Sequence, residues 1–93
     1  MDKSTLNRLG RLWKIQEELH NLWVDKGYDA DTEHKIKLVS KVKKQLEEQK
    51  RGFIPKRVPY GKIADFLISN YEKLPANELH QRVTALVLGR SDI

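Results

Sequence analysis

The chain has no cysteine, a single methionine and no aliphatic run longer than the four residues 85–88. Without cysteine there is no disulfide framework, no thiolate nucleophile and no cysteine-based zinc site. The missing apolar run excludes a membrane-spanning helix, and the amino end MDKSTLNRLGRLWK lacks the apolar core of a secretory signal. The expectation is a soluble, cytoplasmic protein. No glycine-rich phosphate loop is present, and His20, His34 and His80 do not stand at metal-ligand spacing. Glu17-Glu18 and Glu47-Glu48 are adjacent pairs, so on helices their carboxylates point in different directions and form no acid/base dyad. These gaps together predict a protein that is not an enzyme and that uses no metal and no cofactor.

What the chain does have is positive charge, unevenly placed. At 93 residues it is one domain, residues 1–93, since a core of this size cannot be halved and leave either half stable. The total charge is +5, but residues 34–62 hold eight lysines and two arginines against two glutamates, a net +8 that leaves −3 for the remainder. Segregation of this kind focuses a positive field over one part of the surface and suits an acidic polymer as partner.

Apolar spacing predicts an all-α fold of about four helices, near residues 4–26, 31–51, 59–71 and 76–88. In the first, Leu6, Leu9, Trp13, Leu19 and Trp23 recur at steps of three and four, with Ser4 or Thr5 as a cap and Gly27 as a stop. In the second, Asp31 is the expected cap, Ile36, Val39, Val42 and Leu46 form the inner stripe, and Gly52 is the stop. Pro55 and Pro59 make residues 53–59 a connector with extended geometry, which Phe53, Ile54 and Val58 should pin to the core. Tyr60, Ile63, Ala64, Leu67 and Tyr71 supply the third apolar face. Leu79, Val83, Leu86 and Val87 supply the fourth, beginning at Pro75 or Asn77 and ending at Gly89, with a loose tail over residues 90–93.

Within the stretch KIADFLISNYEKLPANELHQRVTALVLGR, Ile63-Ala64 followed by Leu67 resembles the first helix of helix-turn-helix DNA-binding domains, where a small residue lets the second helix approach. The connection over residues 70–76 is longer than the tight turn of that motif and contains a proline, so a plain helical hairpin explains the pattern equally well. The resemblance implies that Gln81 faces an adenine edge and Arg82 a guanine. The basic region would supply phosphate contacts from Lys37, Lys41, Lys44, Arg51, Lys56, Arg57 and Lys62. The function this predicts is a small DNA-binding regulator or accessory factor, with nucleic acid, duplex DNA in particular, as partner. The alternative is a protein-binding module or inhibitor that docks on a larger partner, one that itself processes nucleic acid being a natural target. Trp13 and Trp23, ten residues apart, read first as core bulk and second as a docking face, which would also serve a homodimer. A membrane-surface role fits poorly, because the second helix lacks aromatic anchors.

Overall fold

The first two helices form a hairpin whose corner is written in two glycine-length steps of left-handed backbone. In the computed structural model, which describes residues 3–55 and 57–89, α1 spans Lys3–Asp25 and α2 spans Ala30–Lys50. α1 closes with Gly27 at φ 76° and Tyr28 at φ 68°. The Gly27 amide donates to Val24 O at 3.2 Å and the Tyr28 amide to Trp23 O at 2.8 Å. That is the paired bonding of a Schellman close, and the apolar contact that usually accompanies it is the Tyr28 ring set edge-on against Trp23, 4.8 Å between centroids. A left-handed tyrosine is costly in isolation, so the ring contact helps to hold it there. α2 ends in the same way at Gly52, φ 88°, with Phe53 donating to Glu48 O at 2.9 Å.

The cap of α2 is Asp29, two residues before the expected Asp31. Its Oδ2 accepts from the Thr32 amide at 2.9 Å and from Thr32 Oγ1 at 2.8 Å. Those bonds, the Thr32 backbone first, hold the Asp29 carboxyl below its ordinary value of 3.8. A lowered carboxylate contributes stability that is fully present above the ordinary value and is lost as pH falls through the lowered one. Asp29→Ala is therefore expected to lower Tm by about 5 °C at neutral pH. In thermal melts at decreasing pH, the two proteins should converge below the lowered value; a constant gap down to strong acid would contradict the cap's role.

Asp31 has another use. Its Oδ1 accepts from the Ala76 amide at 2.8 Å, capping α4 (Ala76–Val87) from α2, while its Oδ2 lies 3.5 Å from Lys35 Nζ. The starts of α2 and α4 are thus fastened together. Ser4 and Thr5 lie inside α1, which begins at Lys3, and do not occupy its cap.

α3 (Tyr60–Asn70) follows the connector, with Pro59 just before its first turn. The connector is held by Gln49, whose Nε2 donates to Pro55 O at 2.8 Å and to Val58 O at 2.7 Å. Ile54 and Val58 pack against the core as expected, but Phe53 is 75% exposed and pins nothing. No part of the connector forms a strand among the described residues. Lys56 and residues 90–93 lie outside the described residues.

α2 and α3 form the middle of the molecule, each touching all three other helices, while α1 and α4 do not meet. The shared core is made of Leu9, Leu12, Ile15 and Leu19 from α1, Leu38, Val39, Val42 and Leu46 from α2, Tyr60, Ile63, Ala64 and Leu67 from α3, and Leu79 and Val83 from α4. α1 buries Leu9 and Leu19 of the stripe expected of it and leaves Trp23 half-buried, but not the rest. Leu6 and Trp13 face solvent, and Leu12 and Ile15 take their place. In α4, Val87 is exposed rather than inward. Among the described residues, α1 is fastened to α3 and to the residue that follows it: Arg8 grips Asp65 through two parallel bonds of 2.9 Å, and Tyr71 Oη donates to Glu18 at 2.8 Å. Burial, reinforced by the bond to Glu18, pushes the Tyr71 phenol well above its usual range. Tyr60, buried and near Glu48, shifts the same way.

Candidate nucleic-acid interface

α2 and α4 start side by side, and the residues lining the space between them advance together along both helices, so the two run in the same direction with a groove between them. Its volume is about 440 Å³. α2 contributes His34, Lys37, Leu38 and Lys41, and α4 contributes Ala76, Asn77, His80 and Gln81. On each helix the four positions fall into two adjoining rows spaced by three or four residues, His34, Lys37 and Lys41 beside Leu38, and Asn77 and Gln81 beside Ala76 and His80, so each set is one continuous strip of side chains. Leu38 and Ala76 are buried and form the floor; the other six are exposed and form the walls. A smaller hollow of about 170 Å³ continues the groove towards the carboxyl ends, sharing Leu38, Lys41 and His80 and adding Gln45, Thr84 and Leu88.

Lys37, Lys41 and Lys44 are all exposed on the face of α2 that Val39, Val42 and Leu46 leave to solvent. None of the three enters an ion pair among the described residues, where the pairs are Arg8 with Asp65 and Lys35 with Asp31. Among the described residues no carboxylate stands within ion-pair distance of them. Lys43, one residue from the ridge, is different in kind. It is only 9% exposed, donates to Gln16 Oε1 at 2.7 Å and places Nζ 3.3 Å from the Trp13 ring centroid. It is a fastening between α1 and α2, stabilised by the ring face.

The remaining candidates are scattered. Arg51 is exposed and caps the carboxyl end of α2, Arg57 is exposed in the connector, and Lys62 is exposed on α3; none of them lines the groove. Arg82 is exposed but also outside the groove, because one residue along a helix is a rotation of about 100° and carries it past the wall that Gln81 forms. The pair Gln81 and Arg82 thus divides: Gln81 joins Lys37 and Lys41 in one groove, and Arg82 leaves it. His34 and Asn77 were not singled out in the sequence. Each lies one turn before a residue that was, and extending the ladders Lys37-Lys41 and His80-Gln81 back by three or four residues finds both.

Trp13 is 58% exposed, which overturns its reading as core bulk. Trp23 is half-buried between His20, 5.6 Å away by ring centroids, and Tyr28, and its indole nitrogen has no partner among the protein atoms. Among the described residues no three acidic, histidine or cysteine side chains cluster in a way that could hold a metal, and no helix is long and apolar enough to cross a membrane. No protein-family model, no curated protein and no solved structure matches this chain.

Proposed function

We propose that this is a nucleic-acid-binding protein rather than an enzyme, a small regulator or accessory factor that holds the phosphate backbone, of duplex DNA above all, with the basic face of α2. One observation carries the reading. Lys37 and Lys41, in no ion pair among the described residues, share a groove with Gln81, so cations suited to phosphate and an amide suited to a base edge occupy one surface. The helix-turn-helix-like reading of α3 and α4 belongs to this proposal, with the five residues 71–75 as a connection longer than the tight turn.

The test is a titration of mixed-sequence duplex at two ionic strengths. With about four cations on phosphates, log affinity should fall with log salt at a slope of about −3.6, and binding should weaken by roughly two decades between about 50 and 200 mM salt. Absence of binding at the lower salt defeats the proposal.

A second reading is supported by α1. Leu6, Trp13 and Val24 are exposed and stand seven and eleven residues apart, which aligns them along one side of the helix. Such a line suits a protein partner, as docking module or inhibitor, and Trp13 would be its first residue to replace.

A further inference from the structure

The groove between α2 and α4 offers more than the purpose that its rim suggests. A duplex is convex, with its base edges set back in a groove of its own, and it can lie across Lys37, Lys41 and Lys44 without entering the hollow between the helices. The hollow is nevertheless furnished. Its volume of about 440 Å³ lies within the range of about 300–1,000 Å³ of small-molecule sites. Its floor, Leu38 and Ala76, is apolar. Two imidazoles, His34 and His80, stand on opposite walls, and Asn77 and Gln81 on the α4 wall each carry an amide with one acceptor and two donor hydrogens. Lys37 and Lys41 complete the α2 wall.

We infer that this groove receives one unpaired nucleotide of a single-stranded segment, its base on the apolar floor against the imidazoles and its phosphate on Lys37 and Lys41. The inference rests on the nucleic-acid reading above and adds to it a preference for an unpaired base.

The chemistry is matched part by part. Every base has a flat π face, which stacks on aromatic side chains including histidine, and a hydrogen-bonding edge that is exposed only when the base is unpaired. A carboxamide, holding donor and acceptor together, meets the edge of any base. The phosphate is met by two cations one helical turn apart that enter no ion pair among the described residues. Asp31, at the amino end of the groove, is occupied by the Ala76 amide and Lys35. A phosphate chain without bases would satisfy the lysines alone and leave the floor and the amides unused.

That difference defines the experiment. Two 5′-labelled chains of about 12 units, within the span single-strand sites cover, are compared by fluorescence anisotropy: oligothymidylate, and an abasic chain with the same phosphates. At about 50 mM salt, where phosphate contacts are strong, oligothymidylate is expected to bind at least tenfold more tightly. In the Asn77→Ala/Gln81→Ala double variant that advantage should shrink towards one. Both residues are exposed, so the fold should persist, and circular dichroism checks it. Equal binding of the two chains by the unaltered protein overturns the inference, as does an advantage that the double variant keeps in full. If duplex binds and neither single strand does, the inference falls and the nucleic-acid reading stands. If nothing binds, both fall.

Discussion

Alanine at Lys37, Lys41 and Lys44 together is expected to remove most of the salt dependence of nucleic-acid binding. Each phosphate contact contributes about 0.9 to the slope of log affinity against log salt, so losing three of about four contacts should reduce it from about −3.6 to about −0.9. Between about 50 and 200 mM salt the unaltered protein should weaken about 150-fold and the triple variant only about fourfold, so the two differ most when salt is lowest. Stability should not follow. The three side chains are exposed, and none of them enters an ion pair among the described residues. Removing like charges from one helix face can even stabilise it slightly. Lys43 must be left in place, because it touches Trp13 and Gln16 and its loss would be felt in the α1–α2 contact. A triple variant with an unchanged slope would show that the ridge is only solvated. The contacts would then have to come from Arg51, Lys56, Arg57 and Lys62; of the described ones, Arg51, Arg57 and Lys62 stand outside the groove.

The punctuation of this fold is visible in its residues, and its tertiary exchanges are not. Gly27 and Gly52 end their helices because the backbone turns left-handed there, a requirement glycine announces. The α3 face of Tyr60, Ile63, Ala64 and Leu67 is legible because no other apolar stripe competes on that helix. α1 is harder. Its apolar residues spread over more than half of its circumference, and a stripe through Leu6 and Trp13 fits the helical period as well as one through Leu12 and Ile15. Packing against both α2 and α3 selects the second, because compact aliphatic side chains fill the space between three helices and the indole of Trp13 finds Lys43 at the margin. Asp29 and Asp31 are equally good caps by type. Which one caps α2 depends on where the chain leaves the Gly27 turn, and the alternative becomes useful only because α4 arrives beside it.

The candidate site shows the same division. The basic ridge follows from spacing within one helix, as steps of four and three place Lys37, Lys41 and Lys44 together. The groove requires two helices some forty residues apart in sequence to start at one point, and the single bond from Ala76 to Asp31 that marks this has no local signature. Hence Gln81 was legible as a surface amide but its partnership with Lys37 and Lys41 was not. Arg82 shows the converse, since adjacency in sequence suggested a joint role that the helix rotation denies.

Leu67→Ala should produce the largest loss of stability of any single change considered. Leu67 has no exposed surface and sits on α3, which like α2 touches each of the other three helices, among the core residues drawn from all of them. Truncation removes the transfer energy of the lost methyl groups and leaves a cavity that the surroundings can only partly fill, at a cost of about 2–5 kcal/mol. Collapse is hindered on several sides at once. Ile63 and Ala64 are already fully buried on the same helix, and Leu12 on α1 and Leu79 on α4 are held by their own contacts. A domain of this size has a total stability of about 5–10 kcal/mol, so the variant would be brought close to its unfolding threshold. Urea denaturation followed by circular dichroism should show a midpoint reduced in proportion, with the slope retained if unfolding stays two-state. Phe53→Ala provides the contrast. That ring is larger, but it is 75% exposed, and its removal should change stability by no more than about 0.5 kcal/mol. If the two variants proved equally stable, the core would not be centred on α3, and the placement of α4 beside α2, on which the groove depends, would lose its support.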